Sequence, residues 1–254
     1  MFSGFDLHIV HEGFAFKCSP ERPHVSRMDA ICAIAVAYMW ESSTVREDGR
    51  LRVFFSDGVL TMDSRIRNAF PKGKRAIHAS PFVEAVGRLP DGASFHRYSP
   101  VESIGTSFRL LADPGRLYLI LDDKGNRLLT RETCGPIATC KCPSAVTMVL
   151  GGTLGYSPHT ADSIAGMLRD AGARHTHTLA IGVRQQHASS IVAYLRSMDD
   201  DGNLRNACAL TFYGGACGKA DVSFELPLNR VSSGSFNRRW AASYISPADP
   251  IGTA

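Results

Sequence analysis

The chain has 254 residues, of which 44% are hydrophobic and 20% charged, so it can bury a core and is not disordered over its whole length. Lys and Arg total 28 against 24 Asp and Glu, and the net charge of +4 is too small to predict a nucleic-acid partner. No apolar run reaches the roughly 18 residues of a membrane span, and the first residues lack a signal-peptide pattern. We therefore expect a soluble protein without a cleavable export signal.

The first half of the chain predicts one central helix between short β segments. Residues 5–17 alternate loosely between apolar and polar side chains, which is typical of a short hairpin, and residues 1–24 are treated as a candidate N-terminal extension. Residues 26–41 contain no Gly or Pro and are apolar on nearly every side, which predicts a buried central helix. A hairpin is expected over 51–62 and a short helix over 82–89.

The second half predicts a helix followed by an antiparallel meander. Residues 116–130 indicate a hairpin, residues 160–170 a helix, and residues 175–183 a strand. Two further strands are expected over 187–197 and 206–213, separated by an acidic turn. Because no repeat, low-complexity tract or linker divides the chain, we predict a single α+β domain over residues 1–254.

Common catalytic and nucleotide-binding motifs are absent from the sequence. It contains no Gly-x-x-x-x-Gly-Lys-Ser/Thr, no Gly-x-Gly-x-x-Gly, no His-Glu-x-x-His and no Gly-x-Ser-x-Gly. The signatures of phosphate-binding loops, dinucleotide folds, zinc proteases and serine hydrolases therefore fail.

Two groups of residues were considered as metal ligands and not adopted. Cys134, Cys140 and Cys142 offer three soft ligands, but their spacing does not match the paired Cys-x-x-Cys of zinc sites. His175 and His177 share one face of a predicted strand, without an acid or a cysteine at matching spacing. The seven cysteines of the chain are interpreted as reduced thiols, and neither a metal nor a cofactor is expected.

Cys32 and His187 are the candidate reacting pair. Cys32 lies near the start of the predicted central helix, where the helix dipole favours a thiolate, although a cysteine among apolar neighbours is more often a buried core residue. His187 is expected to begin a strand, where an imidazole is held rigidly yet accessible to act as a general base. A solvent-facing histidine at a loop is the alternative reading of the same residue.

These elements resemble a known family. A central apolar helix with an early cysteine (DAICAIAVAYMW), a later strand that begins with His187, and a closing amphipathic segment over 235–245 are similar to the papain-like cysteine proteases among bacterial type III effectors, the YopT and AvrPphB group. The resemblance implies a papain-like fold, with a central helix packed on an antiparallel sheet. It implies that Cys32 is the nucleophile and His187 the base. Tyr213 and two glycines occupy the position of the family's acid, and Asp221 is the first carboxylate after them.

The predicted function is thiol-dependent acyl transfer, most simply a cysteine protease that acts on a partner or host protein. Cys32 attacks a carbonyl carbon, His187 accepts and returns the proton, and Asp221 is taken as the acid of the triad. A deamidase or transglutaminase using the same pair stays open, as does a degenerate, non-enzymatic protein-binding domain. The resemblance also implies delivery into a host cell by a type III apparatus.

One basic run is interpreted as a solvated surface segment. It comprises Arg65, Arg67, Lys72, Lys74 and Arg75. Contact with an acidic membrane surface is the alternative, so peripheral membrane binding is kept beside a protein partner, and no nucleic-acid partner is expected.

Overall fold

A computed structural model of the chain describes residues 5–41, 44–70, 78–127, 145–156, 160–173, 175–180 and 187–200. By compactness the chain divides into a unit of residues 1–222 and a unit of residues 223–254, and the second unit lies outside the described residues. The described helices are α1 Met28–Met39, α2 Ala79–Gly87, α3 Ile104–Leu111, α4 Thr160–Asp170 and α5 Ala188–Asp200. The described strands are β1 Asp6–Val10, β2 Trp40–Glu41, β3 Thr44–Val45, β4 Leu51–Phe55, β5 Gly58–Met62, β6 Ala93–Arg97, β7 Leu117–Arg127, β8 Val146–Gly151 and β9 His175–Ala180.

Seven strands form one mixed sheet in the order β6-β5-β4-β1-β8-β7-β9. The five neighbouring strands from β4 to β9 in this order are parallel, whereas β5 and β6 continue the sheet as antiparallel neighbours. β1 lies in the middle, hydrogen-bonded to β4 on one side and to β8 on the other. Since parallel strands are joined by crossovers that place helices on the sheet faces, the architecture is a layered α/β fold.

Alternate residues of each strand build two separate cores. On one face, Leu7 and Ile9 of β1 belong to the core that includes α1, α2 and α5. On the other face, Val10 belongs to the core that includes α3 and α4. In this second core Phe54 of β4 stacks on Phe108 of α3 at 4.3 Å between ring centroids. The sheet is therefore covered by helices on both sides, and burial of each such ring contributes roughly 1.5–3 kcal/mol.

Helix α1 confirms the predicted central helix, with bounds Met28–Met39. It packs between the sheet, α2 and α5, and its buried side chains include Ile31, Ala35 and Tyr38. Its start is set by Ser26 and Arg27, whose φ angles of +53° and +54° lie in the left-handed region and keep the preceding turn out of the helix. Within the described residues, no helix is long and apolar enough to cross a bilayer.

Arg196 fastens α5 to α1. Its side chain is 4% exposed, and its guanidinium lies over the rings of Phe5 and Tyr38, at 4.5 and 4.2 Å from their centroids. Nε donates to the carbonyl oxygen of Tyr38 at 2.9 Å, and Nη1 pairs with Asp48 at 3.2 Å and with Asp199 at 3.0 Å. Two carboxylates and two aromatic ring faces compensate the positive charge of this buried guanidinium. Removal of the side chain would leave both carboxylates without their cation.

The predicted papain-like fold, a central helix on an antiparallel sheet, is wrong. The sheet is mixed and mainly parallel, and the helices cover both of its faces. The runs LRVFF, LYLIL and VTMVL are apolar apart from Arg52 and Thr147, which is close to the pattern of parallel strands buried on two sides. LRVFF and LYLIL are each predicted to lie in a hairpin, which is correct for LRVFF and wrong for LYLIL, because a short apolar run does not reveal the direction of its pairing partner. No element is predicted for VTMVL.

Three segment predictions are also corrected. Residues 187–197 belong mostly to helix α5, because Val192, Leu195 and Met198 recur at helical spacing and face α1. Residues 116–130 do not fold back on themselves within the described part, where β7 is one strand with an irregular register against β9. Residues 5–17 contain a single strand, β1, and it lies in the centre of the sheet rather than in an extension.

Other segment predictions are confirmed with shifted bounds. The hairpin over 51–62 is β4 and β5, the helix over 82–89 is α2, and the helix over 160–170 is α4. The strand over 175–183 is β9 over His175–Ala180. The strand over 206–213 and the helix over 235–245 lie outside the described residues, and the single domain over 1–254 stays a prediction.

Arg196→Ala should lower the free energy of unfolding by about 3–5 kcal/mol, because Asp48 and Asp199 would lose a buried cation. Urea unfolding followed by circular dichroism measures this difference. Arg65→Ala is the matched control, since Arg65 is 63% exposed and its loss should cost less than about 1 kcal/mol. Equal effects of the two substitutions would contradict the role given to Arg196.

Candidate functional site

The chain changes its direction of travel across the sheet between β1 and β8. After β1 it passes through α1 to β4 on one side, and after β8 it passes through α4 to β9 on the other. The carboxyl ends of these two neighbouring strands are therefore followed by loops that diverge. In open α/β sheets, ligands bind in the crevice at such a topological switch point. We call residues 11–14 and 151–156, which follow the two strands, the switch-point edge.

Tight packing of backbone shapes the turn after β8. The amide of Gly152 donates to the carbonyl oxygen of Val10 at 2.8 Å, and the amide of Gly155 donates to the carbonyl oxygen of Gly152 at 3.0 Å. A Cβ atom at Gly152 would collide with Nδ1 of His11, and one at Gly151 would collide with the backbone of Gly155. These two positions therefore require glycine for close approach of the chain to itself.

Two other glycines leave the switch-point edge open on its outer side. Gly13 after β1 has a φ of +85°, and Gly155 after β8 has a φ of +72°. Among the described residues, no heavy atom lies within 4 Å of the place where a Cβ would stand at either glycine. Backbone groups of both loops can thus be approached closely from outside, which is the usual reason for glycine beside a bound ligand.

His11 connects the three segments that meet at this edge. Its ring is 2% exposed, stacks on Phe14 at 4.6 Å between centroids, and lies edge-on to Phe55. Nε2 lies 2.9 Å from the carbonyl oxygen of Ser26, so Nε2 carries the proton and donates to the turn before α1. Burial lowers the pKa of His11. A neutral His11 therefore holds the start of α1 against the switch-point edge.

Two acidic side chains act electrostatically on Tyr156, which lies in the turn after β8. Tyr156 donates from its hydroxyl to the carbonyl oxygen of Val149 at 2.8 Å. Burial raises the pKa of Tyr156 well above its usual range, and the negative charges of Asp122 and Glu12 raise it further. Glu12 accepts a hydrogen bond from the hydroxyl of Thr160, the first residue of α4, at 3.0 Å. The glycine turn thus lies beside two acidic side chains, Glu12 after β1 and Asp122 within β7.

The structure places the predicted catalytic residues as follows. Cys32 faces the core from α1 and is 2% exposed, and burial, with a smaller contribution from Asp29, raises the pKa of its thiol to about 12. His187 is exposed and precedes α5, where its carbonyl oxygen accepts from the amide of Ser190 at 2.9 Å. No hydrogen bond joins Cys32 to His187 in the described part of the chain. Asp221 lies outside the described residues.

The other candidates from the sequence lie away from the switch-point edge or outside the description. Arg65 pairs with Asp63 and Asp91, and Arg67 pairs with Glu47, while the rest of the basic run is not described. Cys134, Cys140 and Cys142 lie outside the described residues. Among those that are described, no three His, Cys, Asp or Glu side chains cluster as metal ligands do.

The sequence did not single out His11, Glu12 or the glycine turn. The available signal was an apolar run, VTMVL, followed at once by two glycines and a third glycine three positions later. An apolar strand that ends in a glycine-rich turn before a helix is the general form of a ligand-binding βα unit. This βα unit can be recognised only when β8 is identified as a parallel strand.

The chain is weakly similar to a group of solved structures that includes the two named below. No protein-family profile matches the chain. No curated protein matches it. Nep1 from Archaeoglobus fulgidus bound to S-adenosylhomocysteine is 12% identical, with a TM-score of 0.41 over 71% of this chain and 72% of that chain. A ribosomal RNA small subunit methyltransferase E from Neisseria gonorrhoeae bound to S-adenosyl methionine is 12% identical, with a TM-score of 0.36 over 78% of this chain and 67% of that chain.

The resemblance to papain-like type III effector proteases is wrong, and the protease, deamidase and transglutaminase functions inferred from it are wrong too. The family requires a histidine on an antiparallel sheet, whereas His187 precedes a helix and the strands next to β1 are parallel. Delivery as a type III effector was implied by the same resemblance and is withdrawn with it.

Cys32 should resist alkylation while the protein is folded. Its pKa of about 12, against an ordinary 9.0, lowers the thiolate fraction at pH 7.5 by about three powers of ten, and burial excludes the reagent as well. We expect iodoacetamide to label Cys32 at least ~100-fold more slowly in buffer than in urea, as measured by mass spectrometry of its peptide. Cys18, which is half-buried with a pKa of about 11, should label faster than Cys32. Rapid labelling of Cys32 in buffer would contradict its inert role.

Proposed function

We propose that the protein is an S-adenosylmethionine-dependent methyltransferase whose cofactor binds at the switch-point edge. The observation that carries the proposal is the combination, at one topological switch point, of an acidic lining with glycines that leave the backbone open. S-adenosylmethionine is a nucleoside with a sulfonium cation and an ammonium group and without a phosphate.

The negative charge at the switch-point edge favours S-adenosylmethionine over the common dinucleotide cofactors. Glu12 and Asp122 both place negative charge next to Tyr156. A pyrophosphate would be repelled there, whereas a sulfonium or ammonium group is attracted. Carboxylates at the ends of parallel strands also accept hydrogen bonds from ribose hydroxyls, so the same residues suit the nucleoside part.

The remaining residues of the edge fit such a ligand as well. Gly13 and Gly155 leave room for an adenine to approach backbone amides and carbonyls from outside. His11 adds no positive charge beside a cationic ligand, because burial favours its neutral form. Thr160 fixes one oxygen of Glu12 and so limits the orientations of that carboxylate. When bound, S-adenosylmethionine supplies an electrophilic methyl group.

The proposal leaves the methyl acceptor open. The sequence predicted a protein partner, no nucleic-acid partner and peripheral membrane contact, and each of these stays a prediction. His11, Glu12 and Asp122 are binding or positioning residues in this scheme, and no residue is assigned to proton transfer.

Isothermal titration calorimetry on the full chain tests the proposal. S-adenosylmethionine and S-adenosylhomocysteine should bind with dissociation constants between about 1 µM and 1 mM, and NAD and ATP should bind at least ~10-fold more weakly because of their phosphates. Glu12→Gln keeps the shape of the side chain and its bond with Thr160 but removes the charge. It should weaken binding of S-adenosylmethionine about ten-fold and affect S-adenosylhomocysteine, which lacks the sulfonium charge, less.

Glu84→Gln is the matched control, because Glu84 is 52% exposed on α2 and pairs only with Arg88 among the described residues. It should leave the binding of both ligands unchanged. Tighter binding of NAD or ATP than of S-adenosylmethionine would replace the proposal with a phosphate-bearing cofactor. Binding of none of these ligands would reject it.

A further inference from the structure

Strand β6 lies at one end of the seven-stranded sheet, and β5 is its one neighbour among the described strands. Just after β6, the amide of Tyr98 donates to the carbonyl oxygen of Asp57 at 3.0 Å, on the side of β5. Backbone groups of successive residues point to opposite sides of a strand. The backbone groups of Phe95 and Arg97, at odd-numbered positions, are therefore directed away from β5, to the outer side of the sheet.

The outer side of β6 is an open sheet edge. In the described part of the chain, the amides of Phe95 and Arg97 donate to no acceptor. Such an edge is a template for pairing with another strand, and proteins often block it with a bulge or a proline. The register of β6 against β5 is regular, and β6 contains no proline. The backbone of β6 is thus available to a further strand.

The side chains of β6 are complementary to a second copy of the same strand. A two-fold axis through Phe95 would pair β6 antiparallel to itself, with Phe95 opposite Phe95. Ser94 of one copy would then stand opposite His96 of the other. Ala93 would stand opposite Arg97. No two basic side chains oppose each other in this register, whereas a two-fold axis through Arg97 would place like charges face to face.

Opposite charges also come together in this register. Arg97 is exposed and forms no ion pair in the described part of its own chain. Asp91 is 66% exposed, pairs with the exposed Arg65, and lies two residues before Ala93. Diagonal neighbours on paired strands are within reach of long side chains. Arg97 of one copy can therefore reach Asp91 of the other.

Two exposed apolar side chains flank β6. Leu89 lies six residues before Phe95 and is 40% exposed, and Val101 lies six residues after it and is 87% exposed. Leu89 also has a φ of +46°, a strained conformation for leucine. A two-fold axis through Phe95 brings Leu89 of one copy towards Val101 of the other at both ends of the strand pair. Pairing would thus cover apolar surface that a single copy exposes to water.

We propose that a second copy of this chain binds along β6, with the two β6 strands paired antiparallel about Phe95. The pairing provides two hydrogen bonds between the Phe95 residues and one from each Arg97 amide to the carbonyl oxygen of Ala93. Since the strand is short, the dimer is weak, with a dissociation constant of roughly 10–500 µM. The proposal is independent of the proposed methyltransferase activity.

Sedimentation equilibrium of the full chain between about 5 and 500 µM tests the proposal, and the mean mass should rise from monomer towards dimer. Val101→Glu should raise the dissociation constant at least ~10-fold, because it places a charge against the apolar Leu89. Leu110→Glu is the matched control, since Leu110 is an apolar residue of α3 that is 76% exposed and does not flank β6. It should leave the dissociation constant unchanged.

Arg97→Pro tests the backbone pairing itself. Proline removes the outward amide of residue 97 and leaves the hydrogen bonds between β5 and β6 in place, because that amide is not used there. The variant should stay monomeric over the same concentrations, and circular dichroism should show an unchanged fold. If Arg97→Pro does not fold, the following cross-linking experiment decides.

Disulfide trapping tests the register. A chain with Ser94→Cys is mixed with a chain with His96→Cys, since these exposed positions oppose each other in a pair whose Cα atoms are roughly 4.5 Å apart, which suits a disulfide. Mild oxidation should join residue 94 of one copy to residue 96 of the other, as identified by mass spectrometry of the linked peptides. The Ser94→Cys chain alone should cross-link at least ~10-fold more slowly, because its two cysteines are diagonal.

Three outcomes would overturn the proposal. The wild type stays monomeric over the whole range, its dimer withstands both Val101→Glu and Arg97→Pro, or oxidation joins the mixed variants no faster than Ser94→Cys alone. The second outcome would assign the contact between copies to another surface.

Discussion

The central position of β1 is the constraint on which the rest of the structure depends. β1 is hydrogen-bonded on both edges and covered by helices on both faces, so it has no exposed side. A parallel neighbour cannot be reached by a tight turn, and the chain must therefore cross over a face of the sheet between β1 and β4 and between β8 and β9. The crossovers after β1 and β8 run in opposite directions, and this divergence creates the switch-point edge. Helix α1 is buried for the same reason, since it is the crossover from β1 to β4.

The parts of the fold that local pattern determines were predictable from the sequence. The apolar segment that forms α1, the tight turn between β4 and β5, and the amphipathic α4 follow from side-chain spacing within a dozen residues. The direction of strand pairing was not predictable in this way, because β1 pairs with residues about 45 and 140 positions further along the chain. The strand prediction for residues 187–197 is wrong for a local reason. The alternation of Ile191, Ala193 and Leu195 was given more weight than the helical spacing of apolar residues in the same segment.

The candidate site was less predictable than the fold. Cys32 stood out because it lies near a helix start, yet its environment depends on what covers the helix, and α1 is covered on nearly all sides. His11 and Glu12 acquire their roles only through Gly152 and Thr160, which are brought to them by the crossover after β8. The sheet is also electrostatically polarised along its strands. Carboxylates collect at the carboxyl edge around Tyr156, and guanidinium groups collect near the amino ends around Asp6.

The central strand β1 precedes both of its neighbours in the chain, and this order has a consequence for synthesis on the ribosome. One of its two neighbours, β8, begins at Val146, so the nascent chain carries a half-paired apolar strand until synthesis has passed that residue. At common elongation rates that interval lasts on the order of 10 s. An unpaired edge of this kind is a template for aggregation, and protein made in large excess is therefore expected to depend on chaperones for its yield.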